Sequence, residues 1–374
     1  MTVIRALVAD RVRIPFRRPF ATASGMWLER DAWLIRLVDA DGRVGLGEAV
    51  LDPVNGEVAE TILAALVREA ADDAASGLPT RGDLELHGAP GRALNAAIES
   101  AWLDLDRPAA PPRIALDGEG VGVNATIPSL GPAAAAEAAQ QLVEAGFTTL
   151  KLKAGAERET EVLVDRVRAI RLAVGPDIRL RLDVNGAWDL GTAEDRLEAI
   201  ARFDIEYVEQ PLPAHEIEML AELRRRVRIP VGADEAAESV RAVRELLAAD
   251  AVDVIVVKPA RVGGPAAVGE IAELAAGRGV PVVISSLFET GVGIAAALSM
   301  AAGLPEIGGS AWDEPLDHGL ATAGLLEHDL LQASLRVADG RMRVPGGPDS
   351  GGLGVALDRR ALDRFRAEAV GAVA

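Results

Sequence analysis

The chain has no cysteine, so it has no disulfide framework, thiolate metal site or cysteine nucleophile. Lysine is nearly as scarce: of 39 basic residues, only Lys151, Lys153 and Lys258 are lysines. Positive charge is in deficit, with a formal net charge of −18. That argues against nucleic acid as a partner, although a local cationic pocket can still hold a small anion. No run of 18 apolar residues occurs, and the Ala-rich VGIAAALSMAAGLP is short and broken by Gly and Ser, which argues against a membrane span. The beginning, MTVIRALVADRVRIPF, alternates like a strand and lacks the apolar centre of a signal peptide. No G-x-G-x-x-G or Walker motif follows an early strand, which removes a nucleotide site and disfavours an open doubly wound sheet. These features read as a cytoplasmic, soluble protein.

What is present is a large folded chain. Its 374 residues, 49% hydrophobic and 26% charged, guarantee a sizeable core. The first stretch predicts a β-meander with a hairpin turn at Asp41-Gly42, and then helices. In ALNAAIESAWLDLD, the residues Leu94, Ile98, Trp102 and Leu105 recur at helical spacing. Residues 1–112 thus read as an α+β capping domain, ended by the Pro-rich linker RPAAPPRIALDGEG. From there strand, loop and helix repeat. GVNATI, TTLKLK, IRLRLDV, IEYVEQ, IPVGADE, VDVIVVK, PVVISS and GSAWDE predict eight strands, hence an α/β fold with a closed (β/α) barrel over residues 113–325. Residues 326–374 are loop-rich, and LDRRALDRFRAEAV predicts a terminal helix packing back on the first domain.

Charged residues stand at the C-terminal ends of successive strands, where apolar residues would otherwise continue: Lys151 and Lys153, Asp183, Glu209, Asp234 with Glu235, and Lys258. From Lys153 onward they are separated by 30, 26, 25 and 24 residues, about one βα unit each. In a barrel such residues converge at the mouth. Three carboxylates together are unfavourable unless a cation lies among them, and a site without His or Cys suits Mg²⁺, or Mn²⁺, better than Zn²⁺. Any one of these acids could instead cap the helix after its strand. Lys153 and Lys258 would flank the cation, placed to act as acid and base. Lys151 shares the strand parity of Lys153 and reads as an inward ion-pair partner. Arginine could not replace an amine that must release a proton at neutral pH.

These residues carry a resemblance. KLK, the Asp of RLDVNGAW, the Glu of YVEQPL, the Asp-Glu of GADEA and the Lys of VVKPARVGG resemble the enolase superfamily, in its muconate-lactonizing-enzyme branch. The likeness extends to GRVGLGEA and ALNAAIESAWLDL of the family's capping domain. It implies a modified TIM barrel in which Asp183, Glu209 and Asp234 hold Mg²⁺, supported by Lys151, Asn185 and Glu235. Lys153 and Lys258 become the acid/base pair that removes a proton alpha to the carboxylate of a small-molecule substrate through a metal-stabilised enediolate.

Within the branch, VNATIP, VVISSLFETGVGIAAALSMAAGLP and the Arg-rich beginning resemble o-succinylbenzoate synthases, carbon–oxygen lyases (hydro-lyases) of menaquinone biosynthesis. That likeness implies Ser285 and Ser286 as contacts of the succinyl carboxylate. KPARVGG is similar to KPGRVGG of N-succinylamino acid racemases and implies a role for Arg261; a racemase, dipeptide epimerase or cycloisomerase is the alternative within the branch. Asp313, with Glu314, stands in AWDEPLDHG where many synthases carry a run like GLDT, and Asp313 is a further candidate substrate contact. No histidine stands at the sixth or seventh strand end, unlike the mandelate-racemase branch, and His318 reads as loop filler. Thr22 to Arg30 is the candidate lid. A Schiff-base aldolase using Lys258, a barrel that has lost catalysis, and assembly into a homo-oligomer stay open.

Overall fold

The computed structural model describes residues 2–22, 25–52, 55–77, 88–106, 120–305, 312, 315–345 and 352–371. Asp313, Glu314, His87 and nearly all of the Pro-rich linker lie outside them. The chain opens with three antiparallel strands, β1 (Ile4–Thr22), β2 (Gly25–Asp39) and β3 (Val44–Ala49). Strand alternation sends successive side chains to opposite faces, and from Ala32 to Val38 both faces of β2 are largely buried. Trp33, Ile35 and Leu37 pack beneath the helices Gly56–Gly77 and Gly88–Asp106. Ala32 and Leu34 pack with Ala260, Leu287 and Val292 of the following unit. One strand therefore builds the cap's own core and fastens the cap to the barrel. Gly45 and Gly47 allow the second helix to lie directly on β3, since a Cβ at Gly47 would come within 1.9 Å of the Ala97 carbonyl.

Next come β4 (Val121–Gly122), β5 (Ala125–Ile127), β6 (Thr149–Lys153), β7 (Arg179–Asp183), β8 (Ile205–Glu209), β9 (Val231–Ala233), β10 (Val254–Val257) and β11 (Val282–Ile284). Strands β5 to β11 form one parallel sheet in sequential order, with helices between most of them. Asp317–Gly319 closes the curl. His318 bridges Val123 beside β5, and Gly319 bridges Ser285 beyond β11, both in parallel register. The closing stave is thus DHG, downstream of the predicted GSAWDE. Most of GSAWDE lies outside the described residues, and Trp312 within it stacks edge-on against Tyr207, with ring centroids 6.4 Å apart. DHG has no apolar alternation to read. It is held by backbone bonds from Asn124 N–H to the His318 carbonyl and from Gly319 N–H to the Ile284 carbonyl. His318 is not loop filler: it is buried, and its Nδ1 accepts the Ile284 amide at 3.0 Å.

β12 (Val337–Ala338) and β13 (Arg341–Met342) pair with β4 in a small antiparallel sheet. At the end of the chain the helix Arg359–Phe365 is shorter than predicted. It gives way to β14 (Arg366–Val370), which pairs antiparallel with β1 beside the cap helices. Hydrogen bonding to the open edge of β1 competes there with helix propagation.

The barrel's stability comes chiefly from its outer layer. Leu150, Leu152, Leu180, Leu182 and Val208 are buried toward the helices, and each such side chain contributes roughly 1.5–3 kcal/mol. The interior is divided. Toward β10 and β11 it is apolar, with Tyr207, Val254, Val256, Val283 and Leu316. On β6 and β7 the inward positions carry Thr149, Lys151 and Lys153 beside Arg179, Arg181 and Asp183. Arg181 is fully buried, donating to Asn124 Oδ1 at 3.1 Å and to the Asp317 carbonyl at 2.7 Å, with its guanidinium 4.8 Å from the Tyr207 ring centroid. Among the described residues no helix is long and apolar enough to cross a membrane.

Candidate active site

Parallel pairing puts the charged strand ends in one row. Lys153 is level with Asp183, and Asp183 with Glu209. Asp234 and Lys258 follow immediately after β9 and β10. The Lys153 ammonium donates to Asp183 Oδ2 at 2.6 Å and to Asn185 Oδ1 at 2.9 Å. Lys151, one position pair deeper, reaches Glu209 at 3.0 and 3.1 Å and Asp183 Oδ2 at 3.1 Å. Across the row, Lys258 donates to Asp234 Oδ2 at 2.5 Å. Asn185 Nδ2 donates to Glu235 Oε1 at 3.0 Å, tying the second strand end to the fourth.

The backbone just past two of these acids is held in the left-handed region, with φ 52° at Asn185 and 41° at Gln210. Such a conformation costs a non-glycine residue on the order of 1 kcal/mol. At Gln210 the side chain compensates: its Oε1 accepts the Asp234 and Ala236 amides, both at 3.0 Å. Gln210 thereby fixes where the Asp234 carboxylate emerges. The sequence reading missed it, its only signal being adjacency to Glu209.

Burial would raise every carboxyl here, and the cations decide which ones resist. Lys151, Lys153 and Lys258 together hold Asp183 well below the usual carboxylate range despite burial. Burial is likewise overcome at Asp234, by Arg261 and Lys258. Glu209 is pushed up to about 7 by burial and then by Asp183, with Lys151 only partly offsetting them. Burial opposes the Lys151 charge, but Asp183 and Glu209 raise its pKa well above that of a free lysine. Lys151 is therefore a fixed positive charge.

Arg261 lies behind this row. Its Nη1 donates to Asp234 Oδ1 at 2.6 Å and its Nη2 to Asp52 Oδ2, just past β3, at 2.8 Å. It borders a side cavity of about 160 Å³ shared with Asp52, Arg92 and Glu238. The main cavity, about 660 Å³, opens over the row and is lined by Lys151, Lys153, Asp183, Asn185, Glu235 and Lys258. Part of its wall is aromatic and comes partly from the cap: Phe16 and Trp27 pack on Phe288, with centroids 5.9 and 5.5 Å apart. Trp27 belongs to the candidate lid, whose part from Gly25 on is strand paired with β1. Ser285 and Ser286 line the cavity, and the Ser286 hydroxyl is 2.7 Å from that of Thr322. Asp313 lies outside the described residues.

Among the described residues no three of His, Cys, Asp and Glu converge as ligands of one ion; lysine and arginine nitrogens take the carboxylate oxygens instead. The donor set nevertheless fits a hard divalent cation. It consists of oxygens alone, and Asp183 Oδ1 and Glu235 Oε2 are buried with no hydrogen-bond partner, an arrangement that costs free energy unless a cation or water meets them.

A cap docked on a (β/α) barrel, with a row of acids flanked by amines at its mouth, defines a class. Residues 134–361 match the family model described as Enolase C-terminal domain-like, and the chain belongs to the enolase superfamily, in its muconate-lactonizing-enzyme branch. Over 225 residues it is 42% identical to o-succinylbenzoate synthase of Thermobifida fusca (strain YX), covering 60% of this chain and 66% of that protein. Among solved structures it is similar to muconate lactonizing enzyme from Pseudomonas fluorescens complexed with muconolactone, at 26% identity and TM-score 0.85 over 98% of this chain and 99% of that one. It is also similar to a dipeptide epimerase from Enterococcus faecalis V583 complexed with Mg and the dipeptide L-Leu-L-Tyr, at 25% identity and TM-score 0.78 over 95% and 99%.

Proposed function

We propose that this protein is a cytoplasmic, divalent-metal-dependent carbon–oxygen lyase acting as an o-succinylbenzoate synthase. The observation that carries the reading is the placement of two amines, Lys153 and Lys258, on opposite sides of one row of buried carboxylates, with both amines, Asp183 and Glu235 lining a single cavity. The similarity to the Thermobifida synthase supports the choice of substrate.

In this reading Asp183, Glu209 and Asp234 hold Mg²⁺, or Mn²⁺, with Glu235 and Asn185 supporting them. When bound, the ion supplies positive charge where the substrate carboxylate gathers negative charge, which contributes several kcal/mol in the transition state. Lys153, in its amine form, takes the alpha proton. The electron pair left behind flows toward the carboxylate, where the Lys258 ammonium steadies it. The C–O bond beta to the carboxylate then breaks, and the departing hydroxide leaves as water with the proton returned by Lys153. Lys151 stays protonated throughout and keeps Glu209 and Asp183 in place. The aromatic wall of Phe16, Trp27 and Phe288 excludes water from the cavity.

A second reading rests on the same two amines. Proton removal at Lys153 and return at Lys258 from the other face would racemise an N-succinylamino acid, epimerise a dipeptide, or serve a cycloisomerase. Incubation with one enantiomer of an N-succinylamino acid in heavy water, beside the cyclohexadiene substrate of the synthase reaction, separates them. The synthase reading expects dehydration to be the faster reaction by orders of magnitude. Alpha-deuteration with loss of optical activity that outpaces dehydration would reject it.

A further inference from the structure

Every lysine on the main cavity wall is already engaged: Lys151 by Glu209 and Asp183, Lys153 by Asp183 and Asn185, and Lys258 by Asp234. Two arginines of β1, Arg17 and Arg18, also line this cavity, from the cap. Arg17 is tethered, its Nε donating to the Gly324 carbonyl at 3.0 Å. Arg18 is exposed and has no hydrogen-bond or ion-pair partner among the described residues.

The strand just before it is anchored to the barrel. Glu327 N–H donates to the Pro15 carbonyl at 2.8 Å, Phe16 bridges Leu326, and the Phe16 ring packs on Phe288. The cap therefore carries a guanidinium to the cavity on a strand docked against the barrel. Apolar side chains line the cavity too, among them Leu287, Phe288 and Leu325. It thus combines the amines Lys153 and Lys258, an apolar lining and a cap guanidinium that lacks a partner among the described residues.

The geometry points to Arg18 as the specificity-determining residue that holds the second carboxylate of a dicarboxylate substrate, at the end remote from the reacting carbon. This deepens the proposed function and rests on it. A planar guanidinium pairs with a carboxylate through two parallel hydrogen bonds, which a lysine or a hydroxyl cannot reproduce. An exposed pair alone would be weak, but a ligand filling the cavity removes water from one side of it. The assignment holds for the synthase and for racemisation of an N-succinylamino acid, because a succinyl group carries such a carboxylate in either chemistry.

The test uses the full chain in saturating Mg²⁺ and two ligand pairs that differ only in the remote carboxylate. One is o-succinylbenzoate against 2-butanoylbenzoate; the other is N-succinylvaline against N-butanoylvaline. Binding is measured by calorimetry for the wild type, Arg18→Met and Arg18→Lys. The wild type is expected to prefer the dicarboxylate of at least one pair. Arg18→Met should weaken that ligand about ten- to a hundredfold, the scale of a charge-assisted hydrogen bond, while its butanoyl partner changes less than about twofold; Arg18→Lys should fall between. If Arg18→Met weakens both members equally, or neither, the assignment is overturned while the proposed function stands. If the wild type binds no member of either pair, the proposed function fails and takes the assignment with it.

Discussion

Arg261 joins the cap to the carboxylate row: one guanidinium donates to Asp234 at 2.6 Å and to Asp52 at 2.8 Å. Asp52 lies just beyond β3 and also lines the main cavity, so cap position and Asp234 position are mechanically linked through one side chain. Asp52→Asn removes half of a largely buried pair. The expected loss is about 1–3 kcal/mol of unfolding free energy, read from urea denaturation, together with a raised KM. An unchanged midpoint and unchanged KM would show that the tether carries nothing.

Asp234→Asn keeps the shape of the site and removes the charge of one proposed metal ligand. Changing a partner of a metal ligand typically weakens affinity 10–100-fold, so losing a ligand's charge should do at least that. Calorimetric titration of Mg²⁺ into wild type and variant measures it directly. Equal affinities would mean that the row does not hold the ion.

Lys153→Met and Lys258→Met should both fold and bind Mg²⁺, since each ammonium is partly accessible in the cavity. Lys153→Met is expected to lower kcat by about 10²–10⁴, the contribution of a positioned general base. Lys258→Met should abolish racemisation of an N-succinylamino acid if that activity exists. Retention of racemisation there would remove Lys258 from proton transfer.

Lys151→Met differs in kind. It strands Glu209 and Asp183 as buried charges, and breaking such a pair costs about 3–5 kcal/mol. A divalent ion can replace the lost positive charge, so saturating Mg²⁺ should raise the thermal midpoint of Lys151→Met by more than it raises that of the wild type. A smaller rise would argue against the ion's sitting beside Glu209.

Glu48 and His318 give opposite pH dependences. Glu48 reaches from β3 to accept the Thr290 and Gly293 amides at 2.9 and 3.0 Å, where the helix Gly291–Ala302 begins, and burial pushes it from 4.5 up to about 7. Between those values the folded state keeps a proton that the unfolded state has lost, so stability falls as pH rises, by up to about 3 kcal/mol. Glu48→Gln should flatten that slope. His318 is held down from 6.5 to about 4 by burial and by Arg181, so its contribution is intact above 6.5 and lost as pH falls toward 4. Unfolding free energies of wild type and Glu48→Gln at pH 5, 6 and 7 check the first slope; parallel curves would contradict it.

Much of the site was legible because a parallel barrel repeats at nearly constant spacing. Strand parity alone put Lys151 and Lys153 on one inward face, and the pairing of β6, β7 and β8 sets Lys153, Asp183 and Glu209 level. Helical periodicity likewise marked Leu94, Ile98, Trp102 and Leu105, all of which are buried. The closing stave at Asp317–Gly319 was not legible, since three residues without alternation pair only because Val123 and Ser285 stand on either side. Nor was β14, whose helical pattern yields to the free edge of β1.

What the sequence determined by itself was the order of elements and the identity of the acids and amines at the strand ends, because periodicity and spacing are local quantities. Only the tertiary structure decided which cation each acid meets, that Arg261 holds the Asp234 carboxylate while Gln210 holds its backbone amide, and that Arg18 reaches the cavity without a partner among the described residues. Those contacts join residues far apart in the chain. Their partners are chosen by how the cap docks and how the sheet closes, which no local pattern records.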